Sequence, residues 1–112
     1  MNVWRQGDVL FIPVTDPAVI ARVQKESRAR KSRLIRRGEH GGLHLLEKKP
    51  DARLLQAVSL SGGRTRTLYV EVGSEAKVLH GEHNPLLLGT PGLYEVRIQR
   101  ELGMSGTRQV LD

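Results

Sequence analysis

The 112-residue chain reads as one small, mainly β domain, a barrel or sandwich of seven or eight short strands with one short helix near residues 17–26. Three observations predict this. Twelve glycines cut the sequence into short apolar runs, the punctuation of many tight turns. Several runs alternate apolar and polar residues with the two-residue period of a half-buried strand. Only one stretch opens with a helix signal, at Asp16 and Pro17.

Taken in order, residues 8–14 (DVLFIPV) are apolar and β-branched, the pattern of a buried strand. Pro13 has no N–H to give to a ladder, so it belongs at a strand end or a sheet edge. Asp16 is placed to cap a helix, and Pro17 suits its first position. Val19, Ile20 and Val23 supply one apolar patch, which supports a helix to about residue 26. Beyond it the apolar side runs out, and the segment is expected to be mobile.

Residues 33–37 and 43–47 flank a Gly-rich tip at 38–42, a hairpin pattern. Residues 54–60 and 64–72 flank Ser61, Gly62 and Gly63, the stronger hairpin signal. In the second arm Leu68, Val70 and Val72 share one face and Tyr69 and Glu71 the other. Short strands follow at 76–80 and 86–88, separated by a loop over 80–85. Residues 93–100 alternate, with Tyr94, Val96 and Ile98 facing inward, and 107–111 read as a final edge strand.

Bulk composition narrows the function classes. There is no cysteine, so disulfides, thiolate metal sites and thiol catalysis are excluded. The first six residues show no basic stretch followed by an apolar run, and no apolar run approaches the roughly 20 residues of a membrane helix. A cytoplasmic protein with no membrane partner is expected. Net charge is +6, and it is concentrated. Residues 21–37 hold Arg22, Lys25, Arg28, Arg30, Lys31, Arg33, Arg36 and Arg37 against one acid, Glu26. That segment nets +7, so the remainder of the chain nets −1. Local charge of this kind marks an interaction surface better than a diffuse excess does. Arginine pairs bidentately with phosphate. No aromatic residue lies within 21–37, so base stacking is not supported there. The bland counterpart is a solvated loop that keeps the chain soluble.

The four histidines form two close pairs, His40/His44 and His80/His83, each beside an acid, Glu39 or Glu82. Imidazoles with a carboxylate make typical open sites for zinc or iron, so a divalent metal is the cofactor to consider. The metal reading needs the 38–44 and 80–85 loops to meet. The bland reading has these rings bonding backbone groups in turns. In a strand, His44 would point away from Leu43 and Leu45, toward a polar face. Other chemistry is poorly supported. No serine lies in a G-x-S-x-G elbow, Gly62 to Thr65 lack the lysine of a phosphate loop, and Glu71 and Glu95 fall on an outward face.

Arg5, Gln6, Gly7, Asp8, Val9 and Leu10, then His83, Asn84, Pro85 and Leu86, then Pro91, Gly92, Leu93, Tyr94, Glu95 and Val96, and finally Gln99, Arg100 and Glu101 together resemble a family of small uncharacterised bacterial proteins. Its pattern is an R-Q-G-D-V start, a His/Glu loop before a proline, a P-x-G-x-Y-x-V strand and an R-Q-R-E-like ending. The resemblance spans nearly the whole chain and implies an architecture rather than an activity. The family pattern has a denser histidine cluster after the first Gly-Glu, where this chain keeps His40 and His44 around Leu43 and Leu45. The Pro-Gly-x-Tyr turn is loosely similar to the last strands of cupins.

The sequence therefore favours a non-enzymatic binding module that uses the basic segment against nucleic acid or an acidic protein surface. The rival is a metal-dependent, cupin-like enzyme built on His40, His44, His80, His83 and Glu82 or Glu39. A structural subunit of a larger assembly is the third class.

Overall fold

The structure is a computed structural model that describes residues 3–37, 42–58, 66–81 and 83–99. It is a mainly β sandwich of two antiparallel sheets rather than a closed barrel. In chain order the elements are β1 (Trp4–Gln6), β2 (Val9–Pro13), α1 (Pro17–Glu26), β3 (Arg28–Ala29), β4 (Leu34–Arg37), β5 (Leu43–Leu46), β6 (Ala52–Val58), β7 (Arg66–Val72), β8 (Ala76–Leu79), β9 (Leu86–Leu88) and β10 (Gly92–Ile98). The larger sheet runs β1-β2-β10-β7-β6-β3, and the smaller runs β4-β5-β8-β9.

The ten strands among the described residues exceed the seven or eight expected, because β1 and β3 have three and two residues. Strands that short show no period for a sequence pattern to reveal. Both predicted hairpins form: β4 pairs with β5, and β6 pairs with β7 from Ala52↔Val72 to Val58↔Arg66. The hairpin tips around 38–41 and 59–65, and the expected strand at 107–111, lie outside the described residues.

α1 spans the predicted residues. Asp16 caps it by accepting from the Ala18 amide at 2.9 Å, and Pro17 opens it. The expectation of a mobile stretch after residue 26 is corrected. Arg28 and Ala29 pair with Gln56 and Leu55 as an edge strand, and the Arg30 amide donates to the Leu54 carbonyl at 2.9 Å. The backbone thus finds order through a neighbouring strand without burying a side-chain face.

The core lies between the sheets and includes Phe11, Leu46, Leu54, Val70, Val78 and Leu88. Tyr94 joins it, its ring edge-on to Trp4 at 5.6 Å, and Val96 and Ile98 pack against it. A second, smaller cluster sits on the outer face of the larger sheet, where Val23 of α1 packs with Leu55, Tyr69 and Leu93. β7 therefore buries residues on both faces: Val70 and Val72 toward the other sheet, Tyr69 toward the helix. Pro13 ends β2, as its missing N–H requires.

Candidate functional site

The site grows from the tight turn between β1 and β2. Gln6 is the last residue of β1 and only 3 % exposed. Its amide nitrogen donates to two backbone carbonyls, Val78 at 2.8 Å and Asn84 at 3.0 Å. Carbonyls only accept, so this fixes the orientation of the amide and leaves Oε1 facing His44 Nδ1 at 2.9 Å. Oε1 also only accepts, so His44 Nδ1 carries the proton. The neutral ring then presents a lone pair at Nε2, which lies 3.6 Å from Asp8 Oδ1.

His44 is 1 % exposed. The expected polar orientation is corrected: in β5 it shares the buried side with Leu46, while Leu43 and Leu45 are half-buried. Gln6 is what makes that burial tolerable. Burial, foremost, together with the neighbouring His80, lowers the His44 pKa from 6.5 to about 4. Asp8 opposes the shift, and His83 and Arg36 add to it.

Three further side chains surround this pair. Arg36 donates to Asp8 Oδ2 at 3.4 Å. A bulge in β4 places Arg36 opposite His44, with Ile35 as the extra residue between the Leu34 and Arg36 pairings. Without it the strand's alternation would turn Arg36 to the other face. The His80 ring lies 4.3 Å from the His44 ring and 4.6 Å from the His83 ring, centroid to centroid. The β5 start and the β8–β9 loop therefore do meet, as the histidine reading required.

Glycines permit the approach at two points. A Cβ on Gly42 would fall 2.5 Å from His80 Cε1. A Cβ on Gly7 would fall 3.0 Å from His83 Nε2 and 3.4 Å from His44 Cε1, and Gly7 has φ +61. Gly7→Ala is expected to lose about 1–2 kcal/mol, mostly from the left-handed backbone, because the exposed His83 ring can move aside. Urea denaturation measures this, and a neutral effect would mean the turn relaxes.

Of the expected metal set, His44, His80 and His83 come together. His40, Glu39 and Glu82 lie outside the described residues. Among the described residues no three His, Cys, Asp or Glu side chains already stand in an arrangement that holds a metal ion. Gln6, Asp8 and Arg36 complete the cluster. Sequence reasoning used Arg36 only as a phosphate contact and gave Gln6 and Asp8 no site role. Their signal was the R-Q-G-D run itself, a turn flanked by three polar residues at the mouth of an apolar strand. A hollow of about 360 Å³ opens beside the cluster, lined by Arg5, Gln6, Gly7, His83 and Asn84 among others.

The basic segment forms a ribbon around one side of the sandwich. Arg22 and Lys25 are exposed on α1, Arg28 on β3, Arg30, Lys31 and Arg33 on the connection, and Arg37 at the end of β4. Three cations elsewhere are paired: Arg53 with Glu71 at 2.6 Å, Arg97 with Glu95 at 2.7 Å and Lys49 with Asp51 at 4.0 Å. Among the described residues no ion pair uses any of the seven exposed ribbon cations. Glu71 and Glu95 each accept from an arginine and lie diagonally across β7 and β10, opposite Leu93 and Tyr69. Among the described residues no helix is long and apolar enough to cross a membrane.

No curated protein and no solved structure matches the chain. A family model does, over residues 5–99, which take in the described site and all of the described strands but Trp4 at the start of β1, and the chain therefore belongs to the family described as Domain of unknown function DUF8820.

Proposed function

We propose that this protein is a binding module that holds the phosphate backbone of double-stranded nucleic acid against the ribbon from Arg22 to Arg37. One observation carries the reading. Seven exposed cations follow one another along α1, β3, the connection and β4, and among the described residues none of them forms an ion pair. Unpaired cations on an ordered backbone release counterions from a polyanion at little cost in lost ion pairs. Arginine dominates the ribbon, which suits phosphate oxygens. The absence of aromatics from 21–37 favours a duplex backbone over stacked single-stranded bases.

Binding to short DNA and RNA duplexes across a salt series tests this. Engagement of five to seven phosphates predicts a slope of log K against log salt of about −5 to −6. Replacing Arg30, Lys31 and Arg33 together by glutamine is expected to flatten the slope by about 3. No affinity at low salt, a slope near zero, or a triple variant that binds like the parent would sink the reading. Tighter, equally salt-dependent binding to a polyglutamate than to either duplex would redirect it to an acidic protein surface.

A further inference from the structure

The histidine cluster has no part in binding a duplex by the ribbon, yet its geometry is specific. His44 Nε2 and Asp8 Oδ1 are two electron-pair donors facing each other in a partly enclosed place. Their 3.6 Å separation is too long for a hydrogen bond. It suits two ligands of one ion, since donors about 2.1 Å from a tetrahedral metal lie about 3.4 Å apart. Gln6 meanwhile does for His44 what outer groups do for metal-bound histidines: it takes the N–H of the other ring nitrogen and sets the tautomer.

We propose that His44 Nε2, Asp8 and His83 form a site for one divalent transition-metal ion, with the hollow beside His83 leaving coordination positions open to a small ligand. His83 Nε2 already reaches the same side of Gly7 as His44, and its exposed ring turns without disturbing the core. That turn is required, because no three donors are yet gathered among the described residues. Two imidazoles and one carboxylate with open positions suit zinc or iron(II). Arg36, on the other oxygen of Asp8, holds the carboxylate in place and keeps one oxygen toward His44.

The probe is Zn²⁺ alone, titrated by calorimetry into the full-length, tag-free chain after treatment with a chelator. One equivalent is expected with a dissociation constant of about 1 µM or tighter. His83→Ala, a surface change, and Asp8→Asn are each expected to weaken binding by at least about tenfold, with far-UV circular dichroism unchanged. Co²⁺ gives a second readout: a visible d–d band in the parent that both variants lose. Absence of binding at about 100 µM, or affinity that either folded variant leaves within about threefold of the parent, overturns the site. Loss of duplex binding bears on neither outcome, so this inference and the ribbon reading fail independently.

Discussion

Gln6→Leu is expected to destabilise the fold by about 3–5 kcal/mol. Leucine fills similar space but offers no polar atom. The substitution strands the buried Nδ1–H of His44, the carbonyl of Val78 in β8 and, nearer the surface, the carbonyl of Asn84. A buried donor or acceptor without a partner costs about 1–3 kcal/mol, more than the net gain from an average hydrogen bond. Gln6 also belongs to β1 of the larger sheet, while its partners belong to the smaller sheet and the loop that follows β8. Its loss therefore loosens the sandwich where the two sheets meet. Urea denaturation monitored by Trp4 fluorescence measures the effect. A cost below about 1 kcal/mol would show that water or a shifted backbone replaces the amide.

The second large effect is on pH. His44 in the folded chain has its pKa lowered from 6.5 to about 4, chiefly by burial. The unfolded chain accordingly takes up a proton between those two values that the folded chain refuses. Stability is full above about pH 6.5, falls as pH drops from there to about 4, and loses nothing more from this group below that. The loss amounts to about 3 kcal/mol. It is read as a falling urea midpoint, with chelator present so that no metal competes for the ring. A His44→Asn variant removes the group and is expected to flatten this part of the profile, which separates it from carboxylates that titrate at the low end. Parallel profiles for parent and variant would place the His44 pKa near its ordinary value.

Much of the scaffold was legible because it rests on local signals. Asp16 and Pro17 defined the start of α1, and the failing apolar pattern after Val23 marked its end near Glu26. Alternation in 64–72 and 93–100 separates the two faces as the described parts of those strands do, since Val70 and Tyr94 enter the core. The two-residue strand β3 was invisible, because Arg28 and Ala29 carry no pattern and are ordered only by pairing with β6. The sandwich, rather than the barrel, follows from long-range pairing that no local signal encodes.

The site was half legible. Histidines beside glycines suggested convergence, and His44, His80 and His83 do converge. The glycines were first explained as turns, whereas Gly42 matters by leaving room for the His80 ring. Alternation in 43–46 turns His44 away from Leu43 and Leu45, as the structure has it, but the face it meets is the buried one and not a polar one. Its burial depends on Gln6, 38 positions earlier, and Gln6 depends on Val78, 72 positions later. Arg36 was counted only among the phosphate-facing cations, since a bulge that re-aims a side chain leaves no trace in a run of arginines.

The ribbon of arginines also has a consequence for the chain's behaviour in company. Among the described residues β3 closes one end of the larger sheet and β4 one end of the smaller, so the basic segment lies on an edge of each. Open edges invite strands from other molecules to extend the sheet. Arg28 on one edge and Arg37 on the other bring like charge against like charge whenever two copies approach by these edges. Substitutions that neutralise the ribbon therefore remove a safeguard against aggregation, most of all at high protein concentration and in salt that screens the charges that remain.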